Sequence, residues 1–306
     1  MAGSQDFVDD PRNAGALAYV NGALVPLHAA TVSIFDAGFG LGDGVWEGLR
    51  LHRRALLFLE AHLDRLYAGA ADVRIDIGLT QAELTAELVR LLRANGMTDG
   101  AHLRLMVTRG LKQTVNQDPR NALGRPTTVV TAEYKAKPPV APGGGLALRT
   151  SSIRTTGPDM FDMRLNSHSR IGLIRALLDV IDTGADEAVM LDPHGHVATC
   201  NATNLFWVKD GTVFTSGDLY CFNGITRGNV ITLCRDGAAP IRQGSFPIEK
   251  LRDADEAFVT GTMGGITPVR EVDGRAKPGA GAPVTARIVQ AYEAMKDAYA
   301  AGNAIL

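Results

Sequence analysis

The most chemically suggestive point in this 306-residue chain is a glycine that feeds straight into a helix start. Gly224-Ile225-Thr226 opens an apolar helical pattern. The first backbone N–H groups of such a helix have no partners within it and lie at its positive end, which suits a phosphate or another anion. Further upstream, Asn166-Ser167-His168-Ser169-Arg170 is an unbroken polar run. His168 can act as a general acid or base near neutral pH, or simply hydrogen-bond its surroundings. Arg104 and Arg109 carry guanidinium forks that match a carboxylate, and structural ion pairing is the competing use. The three cysteines, Cys200, Cys221 and Cys234, show no CxxC spacing. They read as reduced thiols of a cytoplasmic protein, with neither a disulfide frame nor a metal site.

These residues must be positioned by short strands and a few helices. Leu17–Val20, the turn dipeptide Asn21-Gly22 and Ala23–Val25 predict a hairpin. A helix is predicted over Glu60–Gly69. A second should follow Thr80, whose hydroxyl and Glu83 form a capping box, with Leu84, Leu88, Leu91 and Leu92 on one face and Asn95-Gly96 as the stop. His102–Arg109 and Thr127–Tyr134 read as strands. Residues 136–145, rich in Pro and Gly, read as a linker between a small domain (1–135) and a larger one (146–306). Ile171, Ile174, Leu177, Leu178 and Ile181 repeat at helical spacing before Gly184. Glu187–Asp192 and Asn204–Gly211 read as strands. Without regular βα alternation the class is α+β.

Composition narrows the function. Hydrophobic residues make up 45% and charged residues 21%, and formal net charge is −2, so nothing points to nucleic acid or an anionic membrane as partner. No apolar run is long enough to span a bilayer. The opening MAGSQDFVDDPRNAG has no apolar h-region, so no signal peptide is expected.

Five blocks, in order, resemble the class IV aminotransferase family, the fold type IV pyridoxal-phosphate (PLP) enzymes that include branched-chain and D-amino-acid aminotransferases and aminodeoxychorismate lyase. They are Asp36–Arg50 (DAGFGLGDGVWEGLR), His62–Leu66 (HLDRL), Thr199–Phe206 (TCNATNLF), Asn223–Arg227 (NGITR), and Asp255–Thr262 (DEAFVTGT) continuing to Ile266–Val269. The resemblance implies the two-domain type IV fold, a pocket between the domains, a homodimer, and PLP phosphate held by the amides of Gly224, Ile225 and Thr226 with Arg65 and Thr262. Without it, Arg65 would pass for a solvated helix arginine and Thr262 for a strand-end hydroxyl. It also places Trp46 as an aromatic wall over the substrate, with core packing as the alternative, and Arg104 and Arg109 toward a substrate carboxylate.

Two expected groups differ. The family's imine-forming lysine is matched by Asn166, whose amide nitrogen is not nucleophilic, and residues 146–202 contain no lysine. Thr199 stands where the family has a glutamate against the cofactor ring, and a hydroxyl supplies no charge there. Arg170 falls where aminotransferases often carry tyrosine and lyase-like relatives arginine. Three explanations remain open: PLP bound noncovalently, a cofactor-free enzyme for another anionic substrate, or an engineered substitution, which the paired change at 166 and 199 disfavours. Lys112, Lys135 and Lys137 lie in or near interdomain segments, and nothing in their spacing places one in a pocket. The expected function is lysine-independent, lyase or elimination-type chemistry on a small carboxylate, with Asn166, His168 and Arg170 at its centre. Ordinary amino transfer and a silent PLP or phosphate sensor are the alternatives.

Overall fold

The computed structural model describes residues 5–306, so the first four residues of the segment read for a signal peptide lie outside it. The chain divides into two compact units. One holds Val8–Ala136, Leu165–Arg170 and Lys296–Leu306. The other holds Lys137–Arg164 and Ile171–Met295, with the described residues before Val8. The chain passes between the units at 136/137 and again at 164/165, 170/171 and 295/296. The polar run at 165–170 belongs with the N-terminal unit because its backbone is bonded there.

The first unit is a six-stranded sheet: β1 (Leu17–Val20), β2 (Ala23–Pro26), β3 (Gly44–His52), β4 (Ala55–Leu56), β5 (Ala101–Thr108) and β6 (Thr127–Tyr134), in the order β2-β1-β6-β5-β3-β4. The predicted hairpin forms, with Leu17 opposite Pro26 and Val20 opposite Ala23. Asn21 (φ 48°) and Gly22 (φ 93°) both take the left-handed backbone that a two-residue turn between twisted strands requires. After a short helix α1 (Ala37–Leu41), α2 (Leu59–Asp72) and α3 (Gln81–Ala94) cover one sheet face. The Thr80–Glu83 capping box is present, and all four leucines of the stripe are fully buried. Period-2 alternation sorts the side chains of β5: Ala101, Leu103, Leu105 and Val107 go into the core, and His102, Arg104 and Met106 to the other face. On β3, Val45, Glu47 and Leu49 share the helix-covered face, and Trp46 and Gly48 the opposite one.

The second unit is a nine-stranded mixed sheet: β7 (Leu146–Thr150), β8 (Glu187–Leu191), β9 (Val197–Cys200), β10 (Asn204–Lys209), β11 (Thr212–Ser216), β12 (Ile241–Gly244), β13 (Glu256–Gly261), β14 (Gly265–Val272) and β15 (Arg275–Ala276). The path runs β12-β11-β10-β13-β14-β7-β8-β9, with β15 paired to β14. Its core includes Leu205, Trp207, Leu251, Val259 and Val269. The helices are α4 (Ile171–Val180), α5 (Ile225–Leu233), α6 (Ile248–Arg252) and α7 (Pro283–Gly302).

Helix α4 departs from its predicted packing. Ile171, Ile174, Leu178 and Ile181 remain 68%, 52%, 62% and 44% exposed, so most of the repeat faces outward. Leu173, Ala176, Leu177 and Val180 pack toward β8 instead. The helix is apolar on more than one side, and periodicity alone did not say which side the sheet would take. No helix among the described residues is long and apolar enough to cross a membrane.

Candidate functional site

The candidate residues fall into two groups, one in each unit. In the first unit they gather on β3. Glu47 is fully buried and accepts from His62 Nδ1 at 2.7 Å, from Arg65 Nε at 2.7 Å and from Arg65 NH2 at 2.6 Å. His62 and Arg65 sit three residues apart on α2, so both reach one carboxylate. Burial works to raise the Glu47 carboxyl, but the bonds from His62 and Arg65 hold it below the ordinary carboxylate value. Glu47 and His62 lie inside the resemblance blocks, yet their partnership is visible only in three dimensions. Arg65, expected at a phosphate, directs at least Nε and NH2 to Glu47.

The segment Leu165–Arg170 lies beside the start of β3. Trp46 N donates to Asn166 O (3.0 Å), His168 N donates to Gly44 O (2.9 Å), and Ser167 bridges antiparallel to Val45. Asn166 is 7% exposed, and both ends of its amide are engaged. Nδ2 donates to Trp46 O at 2.5 Å, and Oδ1 accepts a very short bond from Arg170 NH2. His168 Nε2 faces Val45 O at 3.2 Å. A carbonyl only accepts, so Nε2 carries the proton and Nδ1 keeps the lone pair. Burial lowers the His168 pKa, partly offset by that carbonyl, so the ring is neutral at pH 7.

The Trp46 ring is approached by two guanidinium groups. Arg104 stands 3.9 Å from its centroid and Arg170 5.1 Å, while the indole Nε1 donates to Ser167 O at 3.2 Å. Burial, and then the charges of Arg104 and Arg65, push Arg170 down to about 10, against Glu47. Arg104 is exposed, and no carboxylate pairs with it among the described residues. Arg109 differs. Its Nε and NH2 grip Asp43 at 2.6 and 2.9 Å, and its remaining donors reach Val73 O and Arg74 O beyond α2. Of the two uses the sequence left open for Arg109, these contacts are the structural one. His102, on the same sheet face as Arg104, was not singled out from sequence. Burial, with Lys135, Arg50 and Arg104 nearby, drops it to about 3, and its Nδ1 has no partner among the described residues.

In the second unit, Gly224 caps α5 with no side-chain bond, and the first turn carries no acidic residue. A Cβ on Gly224 would lie 2.4 Å from Asn204 Oδ1, so a larger residue would force Asn204 to shift. Asn204 is itself fixed by Nδ2 donating to Phe222 O at 2.6 Å. Thr226 is buried in the first turn and hydrogen-bonded to Tyr292. Arg227 turns away, its NH2 donating to Ser216 O. Thr262 opens the turn after β13, and the hydroxyl of fully buried Thr260 has no partner among the described residues. Thr199 Oγ1 donates to Thr203 O at 2.9 Å, and Thr203 Oγ1 to Glu187 at 2.6 Å. An uncapped helix start beside a close-packed glycine fits the phosphate of a PLP-type group. An amide such as that of Asn166 cannot form an imine, and the Thr199 hydroxyl carries no charge. No cluster among the described residues is suited to a metal ion.

Residues 44–272 match the family model for amino-transferase class IV. The chain is 37% identical over 289 residues to the Arabidopsis thaliana branched-chain-amino-acid aminotransferase-like protein 2, covering 94% of this chain and 51% of that one. It thus spans about half the length of that relative. It is 36% identical over 259 residues to a putative branched-chain-amino-acid aminotransferase of Methanocaldococcus jannaschii, covering 84% and 88%. Among solved structures, a T.th. branched-chain amino acid aminotransferase with pyridoxamine 5'-phosphate superposes with a TM-score of 0.83 at 28% identity, over 92% of this chain and 95% of that one. From the matched model, these relatives and the shared two-domain α+β architecture, the chain belongs to the class IV aminotransferase family and has its type IV fold.

Proposed function

We propose that the chain is an enzyme that holds a pyridoxal-type cofactor by its phosphate and acts on a small carboxylate, through chemistry that does not draw on a lysine at position 166. The observation that carries this reading is the start of α5, free of any side-chain cap, where the amides of Ile225 and Thr226 follow a glycine packed against Asn204. Thr226 and Thr262 would add hydroxyl donors. When bound, such a cofactor withdraws electrons from a bond at the substrate's α-carbon.

The chain's own residues supply the rest. Arg104, exposed and free of any described carboxylate, would take the substrate carboxylate, with Trp46 stacked beneath it. Neutral His168 offers Nδ1 as a proton acceptor. Arg170 fixes the Asn166 amide and adds positive potential. With an amide at 166 there is no amine at that position to shuttle a proton twice, so elimination is favoured over amino transfer. A second reading, amino transfer, is supported by the names of the relatives, which are branched-chain and D-alanine aminotransferases.

A second copy of the chain is the proposed cover for the outward face of α4, whose exposed Ile171, Ile174 and Leu178 continue at helical spacing into Ile181 just beyond its end.

Incubation with PLP and a panel of small amino acids tests the function. Ammonia and a keto acid are expected, without any acceptor, from those amino acids that carry a β-hydroxyl leaving group, such as serine. Amino transfer to an added keto acid would establish the second reading. Turnover that survives removal of all PLP would overturn the role given to the cofactor.

A further inference from the structure

Lys137 is the first residue of the second unit after the 136/137 passage. It precedes Pro138-Pro139, so its backbone is confined to extended conformations. Its half-buried amine lies against the start of β14 and the turn before it, which carries Thr262: Nζ is 2.6 Å from Thr267 Oγ1 and 3.5 Å from Ile266 O on the strand, and 3.4 Å from Gly264 O in the turn. The same turn continues into Gly265, where a Cβ would stand 3.6 Å from the ring of Tyr292, the residue that bonds Thr226 in the first turn of α5. Thr226, Thr262 and the Lys137 amine are therefore linked through one short stretch of chain.

Other lysines are placed differently. Lys135 pairs with Glu133 at 3.1 Å and Lys209 with Asp255 at 2.8 Å. Lys112 is buried, with Nζ on Asp118 O. Lys277 is tied to the carbonyls of Arg252 and Ala254, which end and follow α6. Among the described residues no carboxylate lies in ion-pair range of Lys137, and the three oxygens around it are neutral. A hydroxyl suits both states of the amine, since it accepts from an ammonium and donates to a free amine.

We propose that Lys137 supplies the reactive amine of this site, forming an imine with a phosphorylated aldehyde whose phosphate sits at the start of α5. The inference rests on the proposed phosphate site and deepens it. The amine lone pair forms the new C–N bond, the carbonyl oxygen leaves as water with the two amine hydrogens, and no electrons are exchanged. Burial, against the distant charge of Glu293, brings the Lys137 amine down to about 8, so a useful fraction is unprotonated near neutral pH.

The test is reductive trapping. The full chain is incubated with PLP, treated with borohydride, digested and mapped by mass spectrometry. The expected result is one phosphopyridoxyl group per chain, on Lys137, prevented by excess inorganic phosphate present before the borohydride and rising with pH through about 8. Lys137→Arg should lose the label yet still bind PLP, read as a shift in melting temperature. PLP binding with the label spread over exposed lysines, or with Lys137 unlabelled, overturns this inference alone. No binding by either protein overturns the phosphate site as well.

Discussion

The start of α5 and the flank of β3 are built in opposite ways. At α5 the chemistry comes from backbone amides, and side chains matter mostly by being absent: Gly224 has no Cβ, and no side chain bonds the helix start as a cap. On β3 it comes from side chains held in a dense network of Glu47, His62, Arg65, Asn166, Arg170 and Trp46. A backbone-built site tolerates most sequence change, because every residue but proline brings the same N–H. A side-chain site does not: one changed residue alters what the position can do. The two regions therefore differ in how much a single substitution can change.

The largest effect should come from the side-chain network. Glu47→Ala leaves His62 and Arg65 without their buried acceptor and should cost about 3–5 kcal/mol of stability, measured by urea unfolding. The same pairing sets a pH dependence. Because the folded carboxyl lies below its ordinary value of 4.5, its contribution is present above that pH and is lost as pH falls through the folded value. Glu47→Ala should therefore flatten the acid limb of the stability profile.

Gly224→Ala comes next. The added Cβ would strike Asn204 Oδ1, and the strain should cost about 1–3 kcal/mol, seen as weaker PLP binding in equilibrium dialysis. Asn166→Ala removes two hydrogen bonds and should cost about 2 kcal/mol of stability, while leaving PLP retention unchanged. If it abolished retention as fully as Gly224→Ala does, the contrast between the two regions would fail. Smallest is Thr226→Val, which removes one hydroxyl and should weaken phosphate binding by about 1 kcal/mol, roughly fivefold.

Local elements were legible in the sequence because their signals are local. The Asn21-Gly22 turn, the Thr80–Glu83 box and the glycine before α5 each specify backbone geometry within a few residues, and each is observed. The family, too, was legible in five short blocks, and the matched model spans them from residue 44 onward. Partnerships between distant residues were not. Arg109 spends its fork on Asp43, His102 lost its charge to burial, and most of the α4 repeat turned away from the core.

Sequence alone determined the fold class, the family, the glycine-led helix start and the absence of a lysine between residues 146 and 202. Only tertiary structure decided that both ends of the Asn166 amide are taken, and that Lys137 rests against the start of β14 with no described carboxylate in reach. The physical reason is range. Turn and capping preferences act over a few residues, whereas desolvation and ion pairing depend on groups that meet only when the chain has folded.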